Sequence, residues 1–178
     1  MAKIIAIVNQ KGGVGKSTTA VNLGACLADR EKKVLLVDID PQGNATSGLG
    51  IDKVNLEYSV YDVLIEDVEP EKVIKPTEIY NYSILPANID LAGAEIELVS
   101  MISREGRLRK VINNLNEEYD YIFIDCPPSL GLLTLNALTA SDSLIVPIQC
   151  EYYALEGLGQ LMQTIKLVQN NLNPNLSI

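Results

Sequence analysis

Uninterrupted apolar runs alternate along this chain with stretches whose apolar residues recur every three or four positions. Residues 3–8 run from Lys3 through Ile4-Ile5-Ala6-Ile7-Val8, the pattern of a strand covered on both faces. Residues 33–39 and 121–125 repeat that pattern, the first leading into Asp38-Ile39-Asp40 and the second ending in Asp125. Shorter runs at 83–86 and 143–147 predict two more strands. Between these runs the period becomes helical. Residues 16–30 place Ala20, Leu23, Gly24 and Leu27 on one face. Residues 59–64, 91–99, 104–116, 132–139 and 155–170 also read as helices, the last long and amphipathic. Pro41-Gln42-Gly43-Asn44 is turn chemistry. This alternation predicts an α/β fold, a mostly parallel sheet with helices on both faces. With no internal repeat, low-complexity tract or linker, residues 1–178 read as one domain. Asn173-Pro174-Asn175 is a break, after which Leu176-Ser177-Ile178 reads as a strand beginning. A further C-terminal portion is therefore expected.

Composition narrows the class. The 178 residues, 47% hydrophobic and 21% charged, suit one globular domain with a sizeable core. No run of ~18 apolar residues predicts a membrane span, and the start of the chain lacks the pattern of a signal peptide. Cys26, Cys126 and Cys150 are an odd count without a CxxC pair. They read as reduced thiols in a cytosolic protein, or simply as small buried hydrophobes.

The chemistry lies between the first strand and the first helix, at Lys11-Gly12-Gly13-Val14-Gly15-Lys16-Ser17-Thr18. Glycines let the backbone curl so that several N–H groups converge on an anion, and the helix N-terminus adds partial positive charge. Lys16 supplies a full charge to the β- and γ-phosphates, and the Ser17 hydroxyl can ligate Mg²⁺. ATP and Mg²⁺ are the cofactors this loop predicts. A plain glycine turn explains the glycines but not the lysines. Two further acidic sites fall at strand ends, where open parallel sheets place ligand groups. Asp125 can accept hydrogen bonds from Mg²⁺-bound water, and Asp38 is expected to act on the metal in the same way. Asp40 can orient the attacking water, although an aspartate opening a turn before Pro41 is the plainer alternative.

The loop departs from the general P-loop pattern G-x-x-x-x-G-K-[ST], because Gln10 stands at the first glycine position and Lys11 follows it. It resembles the deviant Walker A motif, K-G-G-x-G-K-[ST], of the branch that contains ParA, MinD and nitrogenase iron protein. Asp38-Ile39-Asp40-Pro41-Gln42-Gly43-Asn44-Ala45-Thr46 is similar to the ParA/Soj form of that branch. So are Asp125-Cys126-Pro127-Pro128-Ser129-Leu130-Gly131 and the run from Pro147 to Gly157. The resemblance implies a slow, partner-stimulated, Mg²⁺-dependent ATPase that serves chromosome or plasmid partition. It implies an ATP-dependent sandwich homodimer with Lys11 reaching the partner's nucleotide, nonspecific DNA binding, a ParB-type partner, and a cytoplasmic, nucleoid-associated location without membrane binding. A MinD-like membrane-cycling regulator and a nucleotide switch without turnover remain alternatives. The first calls for a C-terminal amphipathic membrane helix, and none is visible here.

Charge limits the DNA expectation. The net charge is -9, and residues 111–178 carry one basic side chain, Lys166, against seven acidic ones. Nonspecific DNA affinity needs Lys and Arg along the phosphates. The resemblance places most of those residues beyond Ile178. Within this chain Arg104, Arg107, Arg109 and Lys110 are the best candidates for residual contact, or they form a solvated helix face.

Overall fold

The structure, a computed structural model, describes residues 1–150 and 154–178, and only the helical backbone of residues 154–156. Glu151-Tyr152-Tyr153, part of the run from Pro147 to Gly157, lies outside the described residues. The strands are β1 (Lys3–Ile7), β2 (Val34–Asp38), β3 (Lys75–Pro76), β4 (Tyr82–Leu85), β5 (Tyr121–Asp125) and β6 (Ser143–Ile145). The helices are α1 (Lys16–Ala28), α2 (Asn44–Gly48), α3 (Val60–Ile65), α4 (Pro70–Val73), α5 (Leu91–Glu97), α6 (Arg107–Leu115), α7 (Leu132–Ala140) and α8 (Ala154–Asn171). Single 3₁₀ turns, Leu98–Ser100 and Arg104–Gly106, occupy parts of the segments expected to be helical at 91–99 and 104–116.

One six-stranded sheet runs in the order β3-β4-β2-β5-β1-β6. Every pairing is parallel except that of β3, a two-residue antiparallel edge whose Pro76 suits an edge position. The apolar runs alternate between two cores. Ile4, Ala6, Leu35, Val37, Ile122 and Ile124 face one side, together with buried residues of α3, α5, α6, α7 and α8. Ile5, Ile7, Val34, Leu36 and Phe123 face the other side, with α1 and α2. The alternation explains why these strands read as continuously apolar.

Helix α1 lies close to the sheet because the residues it buries are small: Ala20, Gly24 and Ala28. The Tyr82 hydroxyl donates to the Ala20 carbonyl, 3.1 Å away, and its ring occupies the space a side chain on Gly24 would need. Leu23 and Leu27, expected on the buried face, are half-buried beside it. Helix α3 starts where Ser59 and Asp62 cap each other's backbone. At the chain end Ser177 makes a parallel bridge to Ser143, the strand-like start expected there.

The crossover β1-α1-β2 covers one face, whereas α5, α6 and α7, on the later crossovers, cover the other. The strand ends nearest that change hold the loop after β1, Asp38 and Asp125, the place where open α/β sheets bind ligands.

Candidate functional site

The loop after β1 turns into α1 through Gly15, which caps the helix at φ 91°, a left-handed conformation that a Cβ would strain. No side chain caps α1 and no acidic residue lies in its first turn, so its leading N–H groups are left for an anion. Lys16 is buried at 7% exposure, and its ammonium donates to the Lys11 carbonyl at 3.1 Å. Burial lowers its pKa, and the carboxylates of Asp125 and Asp40 partly restore it. Asn9 braces the loop by accepting from the Lys11 amide at 3.0 Å and donating to the Pro147 carbonyl at 2.7 Å. Gln149 adds a bond to the Gly13 carbonyl. Gly12, Gly13, Gly15, Lys16, Ser17 and Thr18 line an open cleft together with Asp40, Gln42, Asn44 and Pro128.

Asp38 and Asp125 end adjacent parallel strands in direct register, and both are fully buried. Burial raises the Asp125 carboxyl to about 7, and the charge of Asp38 adds to the rise. The Ser17 hydroxyl lies close enough to pull that value down, yet neither Asp125 oxygen accepts a well-formed hydrogen bond. A buried carboxylate without donors is costly until a cation or its bound water completes it. Asp38 is raised to about 6 by burial, against the pull of bonds from the Thr46 hydroxyl and amide and the Asp40 amide. Asp40, 6% exposed, accepts from the Gln42 amide at 2.9 Å through Oδ1.

Among the described residues no group of three or more Asp, Glu, Cys or His side chains could hold a metal ion. Mg²⁺ fits such a site, because it keeps several waters and takes few protein ligands when phosphate oxygens share it. The donors present, one hydroxyl at Ser17 and the unsatisfied carboxylate of Asp125, match that chemistry.

All the residues singled out in the sequence (Lys11, Gly12, Gly13, Val14, Gly15, Lys16, Ser17, Thr18, Asp38, Asp40 and Asp125) gather at this end of the sheet. Val14, Asp38 and Asp125 are buried, and these three and Lys11 are not part of the lining of the cleft. Sequence reasoning gave no role to Asn9, Gln42, Asn44, Thr46 or Pro128. Gln42, Asn44, Thr46 and Pro128 stood inside quoted motifs, and Gln42 and Asn44 also within a predicted turn. Asn9 had none, because its importance comes from spanning two loops.

The basic cluster is mostly engaged within the chain. The Arg104 guanidinium donates to the Val99 carbonyl and to Glu105, and that of Arg107 to the Leu64 carbonyl and to Asp67. The Arg109 guanidinium donates to the carbonyls of Thr139 and Leu172. Three of the four side chains are thus spent on holding carbonyls and carboxylates of their own chain. Lys110 alone stays mostly in solvent, 3.9 Å from Asp67.

A glycine loop that ends a strand, opens an uncapped helix and sets a buried lysine beside strand-end carboxylates defines a P-loop nucleotide-binding protein. Known proteins narrow the class. The family described as an AAA domain matches residues 2–178. Sporulation initiation inhibitor protein Soj of Bacillus subtilis is 65% identical over all 178 residues, which span 70% of its length. Chromosome partitioning protein ParA of Myxococcus xanthus is 57% identical over the whole chain, which spans 63% of that protein. A solved structure of cobyrinic acid a,c-diamide synthase from Mycobacterium smegmatis, with bound ATP analogue and magnesium, superposes with a TM-score of 0.96 at 48% identity. That match covers 99% of this chain and 72% of the other. The chain belongs to the ParA/Soj family of P-loop ATPases.

Proposed function

We propose that the protein is a Mg²⁺-dependent ATPase of DNA partition, and that residues 1–178 are its nucleotide-binding domain. The observation that carries this reading is the buried, unsatisfied Asp125 carboxylate beside Ser17 and Lys16 at the mouth of an uncapped α1. Bound ATP would supply the transferable phosphoryl group, and Mg²⁺ would offset the negative charge that spreads over its oxygens. The amides of the loop and of α1 orient the phosphates, and Lys16 leaves the Lys11 carbonyl to meet them. Ser17 and Asp125 would hold the ion, the first through its hydroxyl and the second by accepting hydrogen bonds from water on it. Asp40, in the lining of the cleft, accepts a proton from, or aligns, the attacking water. By likeness to Soj and ParA, Lys11 acts across an ATP-dependent homodimer, a ParB-type partner stimulates turnover, and the dimer binds DNA nonspecifically within the nucleoid.

The synthase likeness carries a second reading, in which the phosphoryl group goes to a substrate carboxylate instead of water. Greater identity to the two partition proteins favours water. The test is steady-state phosphate release without added carboxylate, alone and with DNA and a ParB-type partner. We expect slow release that the partner stimulates. Lys16→Ala should weaken ATP affinity about 100-fold, and Asp40→Ala should abolish release while keeping most of that affinity. Release that depends on an added carboxylic acid would establish the second reading.

A further inference from the structure

The loop that carries Asp40 into the cleft is fastened by a buried chain of hydrogen bonds. The Asp38 carboxylate accepts from the Asp40 amide at 3.1 Å through Oδ1. Its Oδ2 accepts from the Thr46 amide at 2.8 Å and from the Thr46 hydroxyl at 2.7 Å. That hydroxyl in turn accepts from the Ala87 amide at 3.0 Å. Thr46 is fully buried. Both ends of residues 40–46 are therefore tied to one carboxylate, and the far end is also tied to the residue after Pro86.

The middle of the loop is closed from outside. Gly43 sits at φ 58°, and a Cβ there would lie 2.9 Å from the Ala87 carbonyl oxygen. Lys53 donates to the Gln42 carbonyl at 2.5 Å. Between these ties Asp40, Gln42 and Asn44 face the cleft.

We propose that Thr46 is the positioning residue of the site, its hydroxyl holding Asp38 as an anchor that sets where Asp40 stands against the phosphates. Asp38, filled by three donors of its own chain, then acts through this loop instead of through metal-bound water. Thr46 does not line the cleft. A hydroxyl is required because one group must donate to a carboxylate and accept from an amide at the same point, and valine, of the same shape, does neither. Two buried polar partners are left incomplete when it is lost, which loosens the loop more than it perturbs the phosphate cradle.

This inference rests on the ATPase reading, and its test separates the two. In nucleotide-free protein, amide exchange read residue by residue should show Asp40, Thr46 and Ala87 strongly protected. Thr46→Val should raise exchange at Asp40. The same variant should lower kcat by about 10- to 100-fold, the cost of misplacing a catalytic group by about 1 Å, with ATP affinity within about threefold of wild type. Thr46→Ser, which keeps the hydroxyl, should return both exchange and kcat to within about threefold of wild type. The proposal is overturned by fast exchange at Thr46 and Ala87 in the wild type, by unchanged kcat in Thr46→Val, or by equal losses in the valine and serine variants. A fall in ATP affinity parallel to the fall in kcat also overturns it. A wild type that releases no phosphate removes the ATPase reading, and the exchange data then decide the anchor alone. Should Thr46→Val fail to fold, wild-type protection and the serine variant still decide it.

Discussion

At the end of β5 the protein holds a carboxyl whose pKa is raised to about 7 by burial and by the neighbouring Asp38. The ordinary value of 3.8 applies to the unfolded chain. Between the two the native state binds a proton that the unfolded state has released. Stability of the nucleotide-free protein therefore rises as pH falls from about 8 through 7, and Asp38, raised to about 6, continues the trend. Replacing Asp125 by asparagine removes the charge and leaves its shape. We expect Asp125→Asn to stabilise the nucleotide-free protein by about 1–3 kcal/mol at about pH 8 and to flatten the slope. It should also weaken the Mg²⁺-dependent part of ATP affinity. Thermal unfolding in chelator across that pH range checks the first point, and a variant less stable than wild type at about pH 8 would contradict it.

At the scale of elements, side chains between helices do what hydrophobic period alone cannot. Arg109 in α6 reaches the Thr139 carbonyl in α7 and the Leu172 carbonyl just beyond α8. A cation there satisfies orphan carbonyls and opposes the negative ends of two helices. On the opposite end of α7, Glu95 of α5 accepts from the amides of Leu132 and Leu133. Arg109→Ala should therefore cost about 1–3 kcal/mol, seen as a lower urea midpoint, with DNA affinity unchanged. Loss of DNA binding without loss of stability would show that the guanidinium faces phosphate in solution. The sequence placed β1, β2, β4, β5 and β6 within two residues of their ends, because continuous apolar runs mark strands buried on both faces. It missed α2, α4 and β3. These are short elements made by tertiary ties such as Thr46 to Asp38, and no window of their own residues carries a period.

For the whole molecule, charge and assembly matter most. A chain at -9, with Arg104, Arg107 and Arg109 bonded to internal carbonyls, offers DNA little counterion release. The 178 residues alone should bind DNA weakly, and the slope of affinity against salt should be shallow. The proposed dimer is a separate matter. The Lys11 amide is fixed by Asn9 and its carbonyl by Lys16. Lys11→Ala should leave ATP binding to one protomer within about threefold but abolish ATP-dependent dimerisation in light scattering. A dimer that persists with ATP would rule out the trans role.

The phosphate loop was legible from the chain alone, because glycine conformations and the open N–H groups of a following helix belong to contiguous residues. The strand-end aspartates were legible too, since a carboxylate that closes an apolar run stands out. Strand order was not, because period says that a strand is buried but not beside which neighbour. Only the folded sheet buries Asp125 and sets Asp38 beside it, and that burial, with the charge of Asp38, raises the carboxyl pKa beside Ser17. Only the fold brings Ala87 to Thr46 and turns the arginines of α6 inward, because hydrogen bonds between distant segments depend on direction and distance, which a linear sequence does not carry.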